Sequence, residues 1–168
     1  MRPASEQRLT RARLNEVLRY SKETGLFVWI SPPRSHPRLA GTVAGCRSTG
    51  YVMIRIDNAK YKAHRLAWLA VHGCWPAGEV DHRNGDPLDN RIENLRLASN
   101  PQNQANRRRN AGKQIAKGVR RLPSGRFQSR IRVRGQLHAL GVFDTEMAAS
   151  DAYMAAALKH YEEFARKD

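Results

Sequence analysis

The chain has 168 residues, room for one ordinary domain or two small ones, and a formal net charge of +15 at pH 7. So basic a balance says little about fold and points to a polyanionic partner such as nucleic acid. The sequence lacks the long apolar run of about 18 residues that a membrane-spanning helix needs, so no membrane role is expected. The charged start at Met1–Glu6 has no apolar core of a signal peptide, which predicts a cytoplasmic protein. Cys46 and Cys74 fit neither a disulfide framework nor a paired zinc site, so two buried, reduced thiols and no zinc are expected.

In chain order, residues 6–20 read as one amphipathic helix, with Leu9, Leu14, Val17 and Leu18 near helical spacing. Gly25 ends it, and residues 26–30 form a short strand candidate. Pro32, Pro33 and Pro37 remove backbone donors and make residues 31–37 a loop. Residues 51–56, the turn Asp57-Asn58 and Tyr61 predict a hairpin. Residues 64–72 predict a helix stopped by Gly73, and Trp68 and Trp75 are core candidates. His36, His72, His138 and His160 carry no pattern that singles them out.

Residues 79–106 concentrate the polar chemistry. They divide into a strand ending at Asp81-His82, a turn-rich loop, a strand at residues 95–98, and a helix. Asn100 followed by Pro101 predicts an N-cap with proline at the first helical position. That helix is almost wholly polar, which predicts that it faces something other than a core. Hydrolysis of a phosphodiester needs a positioned water, a base and positive charge on the phosphate. Asp81 and Asn103 offer hard oxygens suited to Mg²⁺, and His82 titrates near neutrality, as a general base should. An EF-hand calcium loop is a poor alternative, because Gly85 is misplaced and no Glu stands at the twelfth position.

The Asp81-His82, Asn94 and Asn103 spacing, with the string Asp89-Asn90-Arg91-Ile92-Glu93-Asn94-Leu95, resembles an HNH endonuclease motif. It is similar to the homing-endonuclease-like branch in which Asn replaces the last His. The resemblance covers residues 60–107, with Tyr20 to Trp29 similar to what precedes the motif in phage members. It implies a ββα-metal fold, Asp81 and Asn103 as metal ligands, His82 as general base, and Asn94 as the brace of the loop that holds His82. The implied cofactor is Mg²⁺ or another divalent metal such as Mn²⁺. With one carboxylate in that set, DNA phosphates are expected to complete the site. His64 and Arg91 are candidate neighbours of the active site.

Between Glu93 and Asp144 there is no carboxylate, while basic residues run from Arg96 through Arg107 to Arg134, as expected of a phosphate-binding surface. Residues 118–120, 127–133 and 137–143 read as three strands, and Thr145 caps a helix from Glu146 to about Ala165. Ile131 and Val133 would pack on Ala148, Ala149, Ala152, Tyr153 and Ala156, leaving Arg130, Arg132 and Arg134 on the open face. Lys117-Gly118-Val119-Arg120, Gly125-Arg126-Phe127 and Leu140-Gly141-Val142-Phe143-Asp144-Thr145 resemble the Apetala-type, or ethylene-response-factor, DNA-binding domain over residues 116–165. That resemblance implies DNA contacts from Arg120, Arg126, Arg130 and Arg132.

The expected fold class is α+β: a ββα-metal domain with an N-terminal helix and strands, plus a small three-stranded sheet packed on one helix. The expected domains are residues 1–110, with the motif core at 60–107, a linker at 111–116, and a DNA-binding domain at 117–168. The expected function is a phage- or bacterium-associated, metal-dependent endonuclease on double-stranded DNA, with Arg107, Arg120, Arg126, Arg130, Arg132 and Arg134 on the DNA. One such site cuts one strand, so a double-strand break requires a dimer or two nicks. The rival from another class is a catalytically silent DNA-binding regulator. An RNA-binding protein lacks the aromatic platforms that unpaired bases stack on.

Overall fold

The computed structural model describes residues 6, 8–106 and 115–165. It divides into two compact units, Met1–Leu97 and Ala98–Asp168. Each mixes helix and small sheets, in the α+β class. The sequence-predicted linker at 111–116 lies mostly outside the described residues, as does Arg107.

In the first unit, helix α1 (Arg11–Val17) starts at Thr10, whose Oγ1 accepts from the Arg13 amide at 3.2 Å. The expected single helix over 6–20 is corrected here. Leu18 turns extended, and strand β1 (Leu18–Tyr20) pairs antiparallel with β2 (Phe27–Trp29). Leu14, Val17 and Leu18 are all buried, so one apolar run serves a helix and then a strand, and cross-strand pairing overrides helical spacing. Strands β3 (Cys46–Ser48), β4 (Tyr51–Ile56) and β5 (Ala59–Lys62) form an antiparallel meander. Its Asp57-Asn58 turn has positive φ at both residues, the twist that suits a two-residue hairpin. Helix α2 (Ala63–His72) ends at Gly73 in the left-handed conformation. It packs Leu66 and Leu69 onto Leu14, Phe27, Ile54 and Ile56 in one core, joined by Trp75. Strand β6 (Glu79–His82) pairs with β7 (Leu95–Ala98). Contrary to expectation, Cys46 and Cys74 are exposed, on the outer strand of the meander and in the turn after α2.

The second unit begins with α3 (Asn100–Asn106). Ser99, not Asn100, caps it. The Ser99 amide donates to Gln102 Oε1 at 2.8 Å while the Gln102 amide reaches back to Ser99 Oγ at 3.4 Å, a reciprocal capping box. Nor is α3 free of the core: Ala105 and Asn106 are buried, and Ala105 clusters with Ala98, Ile131 and Tyr153. Strands β8 (Val119–Arg121), β9 (Phe127–Val133) and β10 (Gln136–Phe143) form an antiparallel sheet with β9 central. Helix α4 (Glu146–Tyr161) starts at Thr145, whose Oγ1 accepts from the Ala148 amide. It ends at Tyr161, short of the expected Ala165, because Glu162 takes a φ of 49° and a 3-10 turn follows. Its buried stripe is Ala149, Tyr153, Ala157 and Tyr161, a strict four-residue repeat, so Ala148 is not in the packing face. Arg134 is also corrected: it stands in the β9–β10 turn with φ 49°, not on the strand face with Arg130 and Arg132.

Candidate active site

Strand β6 carries the two residues on which a hydrolytic reading depends. Val80, Asp81 and His82 are all buried. The β6–β7 pairing sets Arg96 beside Asp81, where its Nε donates to Asp81 Oδ2 at 2.9 Å. Both partners are about as buried as core residues, at 6% side-chain exposure for Arg96 and 5% for Asp81, so the pair is an ion pair held inside the fold.

His82 Nε2 lies 3.4 Å from Asn90 Oδ1. A carboxamide oxygen only accepts, so this contact calls for the proton on Nε2 and the lone pair on Nδ1. The His64 ring meets His82 edge-on at 4.9 Å between centroids, and Tyr51 packs against both rings. Lys62 Nζ stands 4.3 Å over the Tyr51 ring. Burial pushes His82 below its ordinary value, partly opposed by Asn90 and by the carboxylates of Asp81, Asp86 and Asp89. His64 is held well below the usual histidine range, first by burial, then by the charge His82 would carry and by Lys62 and Arg65. Both imidazoles are therefore neutral at pH 7, and His64 Nδ1 is buried with no hydrogen-bond partner among the described residues.

The loop between β6 and β7 is built from side-chain-to-backbone turns. The Asp86 amide donates to Asn84 Oδ1 and the Leu88 amide to Asp86 Oδ1. Asn94 ties its two ends, accepting from the Asn84 amide at 3.0 Å and donating to the Asp89 carbonyl at 2.8 Å. Arg91 grips Asp89 through Nε and Nη2 and holds its carboxyl down to about 2. Arg91 is thus committed to the loop, with a further ion pair to Glu93. The N-terminal strands anchor the same loop. The Tyr20 hydroxyl donates to the Asn90 carbonyl at 2.7 Å, and its half-buried setting raises it to about 12. A Cβ on Gly25 would fall 2.4 Å from the Arg91 amide nitrogen, so only glycine lets the two segments touch.

Asn103 belongs to the second unit, on α3, where its amide donates to the Ser99 carbonyl at 2.9 Å. In that unit Arg120 and Arg132 are exposed and Arg130 half-buried. Arg126 is drawn to the sheet edge by Asp144, at 2.7 Å.

Residues 61–105 match the family model described as HNH endonuclease. This HNH segment runs from β5 to α3 and contains Asp81, His82, Asn94 and Asn103. A protein of Acanthamoeba polyphaga mimivirus, named an uncharacterized HNH endonuclease, is 31% identical over 114 residues. The match takes in 67% of this chain and 59% of that relative's length. No solved structure matches significantly.

Among the described residues, no three His, Cys, Asp or Glu side chains are grouped to hold a metal. What β6 offers is one hard carboxylate, Asp81, beside a loop of further oxygens. That donor set fits Mg²⁺, which binds through one or two carboxylates and fills its shell with water and phosphate oxygens. Sequence reasoning missed Arg96 and Tyr20 as parts of this site. The Tyr20…Trp29 pattern was the one available signal for Tyr20, and its partner lies 70 residues away.

Proposed function

We propose that the protein is a metal-dependent endonuclease that hydrolyses phosphodiester bonds of double-stranded DNA, in the cytoplasm of a bacterial or phage-infected cell. The observation that carries this reading is the buried His82 imidazole, held below its ordinary pKa, next to the buried Asp81 carboxylate inside the segment that matches the HNH family. His82 acts as general base, taking a proton from the attacking water on Nδ1, while Asn90 holds Nε2–H. Asp81 is the residue of the first unit that would hold Mg²⁺ or Mn²⁺. The ion would supply Lewis acidity to the phosphate and charge for the departing 3′ oxygen. Arg96 holds the Asp81 carboxylate in place by hydrogen bonding, and Asn94 keeps the loop after His82 folded. The second unit places the cut. Its three-stranded sheet, with Arg120, Arg130 and Arg132, suits a module lying in the major groove. Arg126 and Arg134 contribute to the phosphate-facing surface, and Arg107 lies outside the described residues.

The test is conversion of supercoiled plasmid by the full chain. Nicked or linear product in Mg²⁺, lost with EDTA and reduced at least a hundredfold by His82→Ala, is the expected result. DNA binding without product in any of several divalent metals would overturn the nuclease reading and leave a DNA-binding regulator.

A further inference from the structure

The strand register of the second unit orders its open face. Directly opposed residues of an antiparallel pair point to the same side of the sheet. Ser129 and Ile131, fully buried, point to α4 with Tyr153 and Ala157. The intervening residues of β9 therefore point outward. Arg120 stands opposite Gln128 on one side, and Val142 opposite Gln128 on the other. Arg120, Gln128 and Val142 thus make one row across all three strands. Two further pairs, Arg130 with Ala139 and Arg132 with Leu137, follow it along the strands on one side. Val142 is 41% exposed and Leu137 53% exposed, in a stretch with no carboxylate from residue 94 to 143.

Phosphate binding accounts for the arginines. It does not account for a carboxamide and a bare isopropyl group in line with Arg120. Base edges in the major groove do. Guanine offers O6 and N7 to a guanidinium, adenine offers N6–H and N7 to a carboxamide, and thymine presents a methyl group to an apolar side chain. Adjacent strands lie about 4.8 Å apart, so the row spans roughly 10 Å. Base pairs rise about 3.4 Å each, so the row covers about three of them.

We propose that Gln128 is the specificity-determining residue of this face, selecting an adenine, with Arg120 on a neighbouring guanine and Val142 on a thymine methyl. This inference rests on the reading that the face binds double-stranded DNA through the major groove. Arg130 and Arg132 hold phosphates and contribute affinity without sequence preference.

The experiment is selection of bound duplexes from a randomised pool by the full chain in EDTA, which prevents cutting, followed by sequencing. The wild type should return a motif with adenine at one central position. Gln128→Ala should lose about tenfold or more of the preference there while the neighbouring preferences stay. Gln128→Glu should move that position toward cytosine, whose exocyclic amine donates to a carboxylate. Arg130→Ala should weaken binding to every sequence alike. If both Gln128 variants keep the wild-type motif, the inference is overturned and the DNA-binding face stands. If the wild type selects no motif and Arg130→Ala leaves binding unchanged, the underlying reading falls and the inference with it.

Discussion

His64 shows what a single buried imidazole does to this fold. Its depressed pKa means that the unfolded chain, where histidine titrates near 6.5, binds the proton more readily than the folded one. The sign follows directly. Stability is complete above about pH 6.5 and falls with pH below that, until the lower folded value is passed. Urea titrations at pH 7.5 and 5.5 should therefore show the wild type losing about 1 kcal/mol per pH unit below 6.5 through this group. His64→Phe keeps a flat ring against His82 and cannot titrate. It should lose that part of the pH dependence, and an unchanged slope would place the titration elsewhere. Asp81 and Arg96 illustrate the complementary case, in which two buried, oppositely charged side chains are placed in direct contact, 2.9 Å apart.

At the scale of elements, tight approaches separate glycines of equal φ. Gly118 and Gly125 both lie in the left-handed region, at 73° and 84°. A Cβ on Gly118 would stand 2.0 Å from the Tyr153 ring, whereas one on Gly125 meets nothing within 4 Å. Gly125→Ala should cost about 1 kcal/mol of backbone strain. Gly118→Ala must also push the Tyr153 ring of α4 out of its place and should cost roughly 3 kcal/mol or more, read from thermal unfolding by circular dichroism. Equal shifts would mean that β8 does not depend on that contact. The hairpin β4–β5, the helix α2 with its Gly73 stop, strands β6 and β7, and the sheet β8–β10 were all legible in sequence, because period and turn residues agree there. The Asp81-His82 pair was legible for the same reason, as strand residues leading into a turn-rich loop. What was not legible was long-range. Residues 18–20 look helical until Trp29 pairs with Leu18. Arg96 is buried while its neighbour Leu97 is 42% exposed, the reverse of what their polarities suggest, because Asp81 supplies the missing partner. Ser99 takes the cap from Asn100 because Gln102 answers it.

For the whole molecule, the net charge of +15 sets how salt acts on the proposed complex with DNA. Binding measured in EDTA should weaken linearly on a log–log plot against salt, by about 0.9 for each phosphate neutralised. Arg132→Ala should lower that slope by about 1 and leave sequence preference intact, whereas a salt-independent affinity would remove phosphate contacts from the account. The Tyr20–Asn90 hydrogen bond has another consequence, one of timing. Tyr20 leaves the ribosome 70 residues ahead of its acceptor. At about 5–20 residues per second, β1 and β2 wait roughly 4–14 s for the loop that fastens them. During synthesis the N-terminal arm is therefore an unfinished edge, and the emergence of the HNH segment both installs the candidate chemistry and closes the arm that supports it.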